Sequence, residues 1–287
     1  MTPPEDSGAL RRWLRAALAD AGVARPAFEA DQLLMHVLGC GRTALLRGVP
    51  VTPQQSAACE DLAARRTAGE PLQYLLGEWE FYSLTFRVGP GVLIPRADTE
   101  TLVDAALDAL RDTPAPCALD LCAGTGCIAA ALACNLPGAR VTAVEWMPEA
   151  FGYLQENLAR LAPQAQALRA DVLAPPPVEL SPGSFDLIVS NPPYIERGVL
   201  PGLMREVQRE PASALDGGPD GLDFYRSIAA HWLPLLRPGG TLAVEIGALQ
   251  AQAVRALFAA ARLENLTVLH DAAGLDRVIL GTQSLLY

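Results

Sequence analysis

"ALDLCAGTGCIAAAL", residues 118–132, decides the fold. A short apolar run, 118–121, meets a glycine-bearing turn and continues into small and apolar residues suited to a helix. This is strand, turn, helix, the opening of a βαβ unit. The turn reads Gly124-x-Gly126-x-x-Ala129. Glycines there make the tight turn and let the backbone approach a ligand closely. Working outward, further strand candidates stand at 140–145, 167–172, 185–190, 241–246, 265–269 and 277–281. Helical patterns fit between most of them, at 148–161, 222–236 and 249–262, and Pro238-Gly239-Gly240 reads as a stop before the next strand. Such alternation predicts a mostly parallel sheet covered on both faces. The expected fold class is α/β, a seven-stranded Rossmann-like sheet over residues 97–287.

Ahead of the sheet, residues 1–75 read as a small all-α domain. Ser7 is placed to cap a helix whose apolar face is Leu10, Trp13, Leu14, Ala17 and Leu18. Pro26 opens a second helix that Gly39 ends, and Thr52-Pro53 caps and opens a third. Residues 76–96 alternate aromatic or β-branched residues with polar ones around Gly-Pro-Gly, the pattern of a β-hairpin linker.

Bulk composition narrows the partners. The 287 residues are 51% hydrophobic, enough for a sizeable core. Residues 1–75 hold 8 acidic and 8 basic side chains, and the remainder holds 24 and 14, so the net charge of −10 belongs to the α/β part. An acidic domain does not attract a phosphate backbone, which argues against direct binding of nucleic acid. The six cysteines form no C-x-x-C pair and no metal-ligand spacing, so no metal is expected, and they read as buried thiols of a cytoplasmic protein. The start, MTPPEDSG, lacks an apolar signal core, and no run reaches membrane-spanning length.

At the glycine turn, Glu145 ends the next strand, where an acid can hydrogen-bond ribose hydroxyls. Taken alone, the turn suits a dinucleotide, or no ligand at all. Asp120, at the strand end just ahead of the glycines, would repel a pyrophosphate but can fix the turn and meet an amino-acid group. Together with the motif described next, this points to S-adenosylmethionine, held by Asp120, Cys122, Ala123, Gly124, Thr125, Gly126 and Glu145. Asp171 and Val172, at the third strand end, are candidates for the adenine, although Asp171 serves equally well as a turn cap.

"SNPPYI", 190–195, follows the fourth strand. Proline donates no ladder hydrogen bond and restricts the residue before it, so the strand stops and Asn191 is held stiffly at its end. Asn191, Pro192, Pro193 and Tyr194 then make a polar clamp with an aromatic wall, and Asn191 also borders the cofactor. A planar nitrogen is a poor nucleophile while its lone pair is delocalised. Two acceptors aimed at its N–H bonds, the Asn191 side-chain oxygen and the Pro192 carbonyl, would orient it and stabilise the charge it gains on methylation. Tyr194 can stack on the flat group. Arg96 suits either a place near the cofactor or a surface ion pair. The stretch "DGGPDGLDFYR" reads as a structural loop capping the next helix. The three histidines, Trp13 and Trp232 read as packing or surface residues.

The set "GEPLQYLLG" (69–77), "FRVGPGVLIPRADTE" (86–100), "DLCAGTGCIA" (120–129), "SNPPYI" (190–195), "EPASALDGGPDGLDFYR" (210–226) and "PGGTLAVEIGALQ" (238–250) resembles the PrmC/HemK family. These are bacterial glutamine N5-methyltransferases that modify peptide-chain release factors. The resemblance implies a class I methyltransferase fold, S-adenosylmethionine as cofactor, and a monomer whose N-terminal domain helps dock a release factor. The factor's Gly-Gly-Gln loop would present its glutamine amide to Asn191, Pro192 and Tyr194. The departures are Cys122 where glycine is common, Glu145 for aspartate, Ala97-Asp98 for Pro-Glu, and Trp146 where a smaller residue is usual. A glutamine methyltransferase acting on a ribosomal protein would share most motifs. An adenine-N6 DNA methyltransferase would share the clamp but lacks support from the charge. An NAD-dependent oxidoreductase would have no use for NPPY. A non-catalytic adaptor would have no use for either site.

Overall fold

A computed structural model describes residues 6–285. Residues 1–5 of the acidic start lie outside the described residues. The chain divides into two compact units, Met1–Glu78 with Met204–Arg209, and Trp79–Leu203 with Glu210–Tyr287.

The first unit holds α1 (Ser7–Asp20), α2 (Pro26–Leu38), α3 (Arg42–Arg47), α4 (Pro53–Thr67) and α5 (Leu72–Leu76). Leu10, Leu14 and Leu18 on α1 pack with Leu33 and Leu34 on α2 and Leu62 on α4, all buried. Trp13 and Ala17 are only half-buried, so the packed face of α1 is narrower than the apolar spacing suggests. The α1 cap is Asp6, which accepts from the Ala9 N–H at 2.8 Å; Ser7 is buried and accepts from the Val49 N–H instead. Thr52 and Gln55 form a capping box on α4. Buried Arg66 pairs with Glu29 and with Glu206 of the Met204–Arg209 segment, both at 2.5 Å.

A hairpin follows, β1 (Glu78–Phe81), of which all but Glu78 belongs to the second unit, and β2 (Leu84–Arg87), turning through Tyr82 and Ser83 in left-handed geometry. Then follow α6 (Glu100–Leu110), β3 (Cys117–Leu121), α7 (Cys127–Asn135), β4 (Arg140–Glu145), α8 (Pro148–Leu161), β5 (Gln166–Arg169), β6 (Phe185–Ser190), α9 (Asp223–Ser227), β7 (Leu236–Glu245), α10 (Ala251–Ala260), β8 (Leu263–His270) and β9 (Asp276–Gln283). The seven-stranded sheet has the order β5-β4-β3-β6-β7-β9-β8. Strands β3 to β7 run parallel, and β9 inserts antiparallel between β7 and β8. One apolar cluster includes Leu102, Ile128, Leu132 and Leu154, and a second includes Tyr225, Trp232, Val254 and Phe258. These are the two covered faces of the expected doubly wound α/β sheet, a class I methyltransferase architecture.

Three local expectations change. The third large strand ends at Arg169, so Asp171 and Val172 lie in the loop beyond it. Pro238-Gly239-Gly240 falls within the span of β7 instead of preceding it, because Leu236 already pairs with Phe185 and the register then shifts. The 222–236 helix breaks into α9, a wide π-type turn at Ile228–Trp232 and a 3₁₀ turn at Leu233–Leu235. Pro234 has no N–H with which to continue an α-helical ladder.

Candidate active site

The carboxyl ends of β3, β4 and β6 open onto a cavity of about 340 Å³, within the range of small-molecule sites. Its wall includes the turn Cys122–Thr125, Glu145–Met147, Ala170–Leu173, Asn191, Pro193, Thr99 and Phe224.

The β3 turn is built from left-handed backbone. Cys122 (φ 59°), Gly124 (φ 54°) and Gly126 (φ 79°) all lie in the region that favours glycine, so Cys122 bears the strain of a side chain there. A Cβ on Gly126 would come within 2.6 Å of Leu154 Cδ1, so glycine is also required for α7 to pack on α8. Asp120 is fully buried and does not belong to the cavity wall. Its Oδ2 accepts from the Ala129 N–H at 3.0 Å, tying β3 to α7, and its Oδ1 has no partner among the described residues. Burial, aided by repulsion from Glu145, pushes the Asp120 carboxyl up to about 8.

Glu145 accepts three backbone hydrogen bonds, from Gly124 at 2.9 Å, Trp146 at 2.7 Å and Met147 at 2.8 Å. A carboxylate offers about four lone-pair sites, so one is left for a ligand. Trp146 is half exposed, with the Arg169 guanidinium over its ring at 5.4 Å. Asp171 lines the cavity, but its Oδ1 accepts from the Leu173 N–H at 2.8 Å, the work of a turn cap.

At the end of β6, Asn191 and Pro193 line the cavity, whereas Pro192 is buried and Tyr194 half-buried outside its wall. The Tyr194 hydroxyl donates to Glu245 Oε1 at 3.3 Å, and its carbonyl accepts from Gln250 Nε2 at 2.9 Å. The "DGGPDG" loop packs its glycines on this turn. A Cβ on Gly217 would meet the Pro193 carbonyl and Tyr194 Cα, each at 2.8 Å. Gln250 Nε2 also bonds the Gly221 carbonyl at 3.2 Å. That stretch therefore braces the NPPY turn as well as leading into α9.

Sequence reasoning gave no role to three polar residues that the fold brings here. Glu245, 1% exposed at the end of β7, accepts from Thr99 Oγ1 at 2.6 Å. Thr99 Oγ1 in turn meets Asn191 Nδ2 at 3.1 Å. Glu210 is buried, accepts from the Ile94 N–H at 3.0 Å and pairs with Arg96. Arg96 is therefore both a cavity residue and an ion-pair member. The available signal was an acid amid apolar residues, Val244-Glu245-Ile246, at a strand's carboxyl end.

Residues 9–77 match the PrmC N-terminal domain family, and residues 96–218 match the methyltransferase small domain family. The chain is 44% identical over 273 residues to a release factor glutamine methyltransferase of Geobacter sulfurreducens, covering 94% of both chains. It is 45% identical over 268 residues to a protein of the same name from Moorella thermoacetica, covering 92% of this chain and 93% of that one. A solved methyltransferase from Pyrococcus furiosus covers 78% of this chain and 99% of its own at a TM-score of 0.51 and 16% identity, a likeness of fold alone. The chain thus belongs to the release factor glutamine methyltransferase family.

Proposed function

We propose that this chain transfers a methyl group from S-adenosylmethionine to the side-chain amide nitrogen, N5, of the glutamine in the Gly-Gly-Gln loop of peptide-chain release factors. One observation carries the reading: a single cavity is lined both by the 122–125 turn with Glu145 and by Asn191 with Pro193.

The cofactor fits the wall on charge. Glu145, Asp171 and Asp216 line it, and Arg96, its one base among the described residues, is paired with Glu210. Such a wall favours a cationic ligand over a pyrophosphate. Residues Cys122, Ala123, Gly124, Thr125, Gly126, Glu145, Asp171 and Val172 would hold it, with Asp120 fastening the turn. When bound, S-adenosylmethionine supplies an electrophilic methyl group on a sulfonium.

The chain's own task is to prepare the amide. Asn191 Oδ1 and the Pro192 carbonyl accept the two N–H bonds of the glutamine NH2. They aim its nitrogen and stabilise the positive charge that grows on it, a gain confined to the transition state. Tyr194, anchored through Glu245 and Gln250, offers an aromatic face to the flat group. The methylated nitrogen then loses a proton to water, so no strong base is required.

The test is transfer of labelled methyl from S-adenosylmethionine to purified release factor. Label is expected on the wild-type factor and absent when the loop glutamine is replaced. Label on a ribosomal protein or DNA, and none on the release factor, would overturn the substrate while keeping the clamp chemistry.

A further inference from the structure

We propose that Thr99 and Glu245 are positioning residues that fix which way the Asn191 amide faces, and so make the site select a glutamine over a glutamate. The inference rests on the reading of Asn191 Oδ1 as the acceptor for the substrate amide.

The argument is a proton count. An ionised carboxylate only accepts, and a threonine hydroxyl has one proton to donate. Thr99 Oγ1 lies 2.6 Å from Glu245 Oε2, so with that carboxylate ionised the hydroxyl proton is committed there. What remains on Thr99 Oγ1 is lone pairs. The Asn191 atom facing it at 3.1 Å must therefore be the NH2 group. The amide oxygen is left on the other side, and no donor among the described residues hydrogen-bonds it. Thr99 is 2% exposed and Glu245 1%, so water does not compete for this chain of bonds. Tyr194 adds a second donor to the same carboxylate at 3.3 Å. The Tyr225 hydroxyl holds the Glu245 carbonyl at 2.8 Å.

The direction of the chain has a chemical consequence. With its oxygen presented, Asn191 welcomes the N–H of a glutamine and repels the oxygen of a glutamate. Turned over, it would present N–H donors, hold glutamate, and set a glutamine with its carbonyl where its nitrogen should be. Unlike a hydrophobic contact, this device discriminates two side chains of nearly equal shape, because a buried polar group is left opposed or unpaired by the wrong one.

Glu245→Gln is the decisive variant. It keeps the shape, but Glu245 accepts from both Thr99 and Tyr194 and an amide has only one oxygen, so one of the two bonds must reverse and the chain loses its fixed direction. Thr99→Val cuts the chain, and Thr99→Ser retains it. Each is compared with wild type in methyl transfer to release factor, in cofactor binding, in thermal melting, and in inhibition by a release factor carrying glutamate in place of the loop glutamine. Glu245→Gln and Thr99→Val should lose about 10- to 100-fold in kcat, while cofactor affinity stays within about threefold of wild type by the same argument that neither side chain holds the cofactor. Both should be inhibited about tenfold more strongly by the glutamate form. Thr99→Ser should behave as wild type. Loss of activity with no change in discrimination against glutamate, or wild-type behaviour in Glu245→Gln, would overturn the proposal. Failure of the wild-type protein to label the glutamine at all would instead overturn the functional reading on which it stands.

Discussion

The turn after β3 and the turn after β6 do neighbouring jobs at one cavity, yet they are held in opposite ways. The β3 turn is secured locally. Asp120 ties to Ala129 and Glu145 ties to Gly124, Trp146 and Met147, all within about one βαβ unit. The β6 turn is secured from a distance. Thr99 reaches Asn191 across 92 residues, Glu245 reaches Tyr194 across 51, and Gln250 reaches it across 56. A turn that binds a flexible small molecule can be a local motif. One that must aim a single oxygen at a developing charge needs locking from several elements.

The largest way to break this contrast is Asn191→Ala. Removing one oriented polar group from a transition state costs about 10²–10³ in rate, so kcat should fall by that order in single-turnover transfer. Cofactor affinity, measured by titration calorimetry, should change little. Glu145→Ala should do the reverse. With its three backbone donors freed and its ligand contact gone, cofactor affinity should drop about 10- to 100-fold, consistent with losing a charge-assisted hydrogen bond and some order in the turn.

A pH series sharpens the contrast further. Burial raises Glu245 from 4.5 to about 7, opposed by Thr99, Arg277 and Tyr194, and aided by Asp98. Arg277 is itself paired with Asp271 at 2.9 Å. The Thr99–Asn191 chain needs the ionised carboxylate, so kcat should rise as pH climbs through about 7, and Glu245→Gln should flatten that rise. The sign for stability is opposite. A carboxyl whose pKa is raised by folding contributes most below its unfolded value, and that contribution is lost as pH rises through about 7. Glu245→Gln should therefore melt higher than wild type at pH 8, so that its lost activity cannot be ascribed to unfolding. The smallest effect belongs to the β3 turn. Cys122→Gly relieves a left-handed side chain worth about 1–2 kcal/mol, partly offset by the chain entropy of glycine. A rise in Tm of no more than a few degrees is expected by thermal melting.

The same contrast explains what could be read in the sequence. The β3 turn, Glu145 and their strand ends were legible because their partners are close in sequence and their residue types are constrained by φ or by packing, as at Gly126. "SNPPYI" was legible as a strand stop because proline acts on its own neighbours, and β6 does end at Ser190. Thr99 and Glu245 were not, since only the β6–β7 pairing and the placement of α6 bring them to Asn191. Nor does periodicity tell that β9 returns antiparallel between β7 and β8. Asp171 was read with both options open. Its cap to Leu173 follows from β5 ending at Arg169, three residues sooner than its apolar pattern suggests.

The claim that binding and aiming are separate duties of two turns is tested most directly by a crossed comparison of Asn191→Ala and Glu145→Ala. Cofactor affinity and single-turnover transfer to release factor, at saturating cofactor, would be measured on both. The account predicts that Asn191→Ala binds cofactor as wild type does and fails to transfer, while Glu145→Ala binds weakly and recovers most of its transfer rate at saturation. Loss of cofactor binding in Asn191→Ala equal to that in Glu145→Ala, or no recovery of Glu145→Ala at saturation, would contradict it.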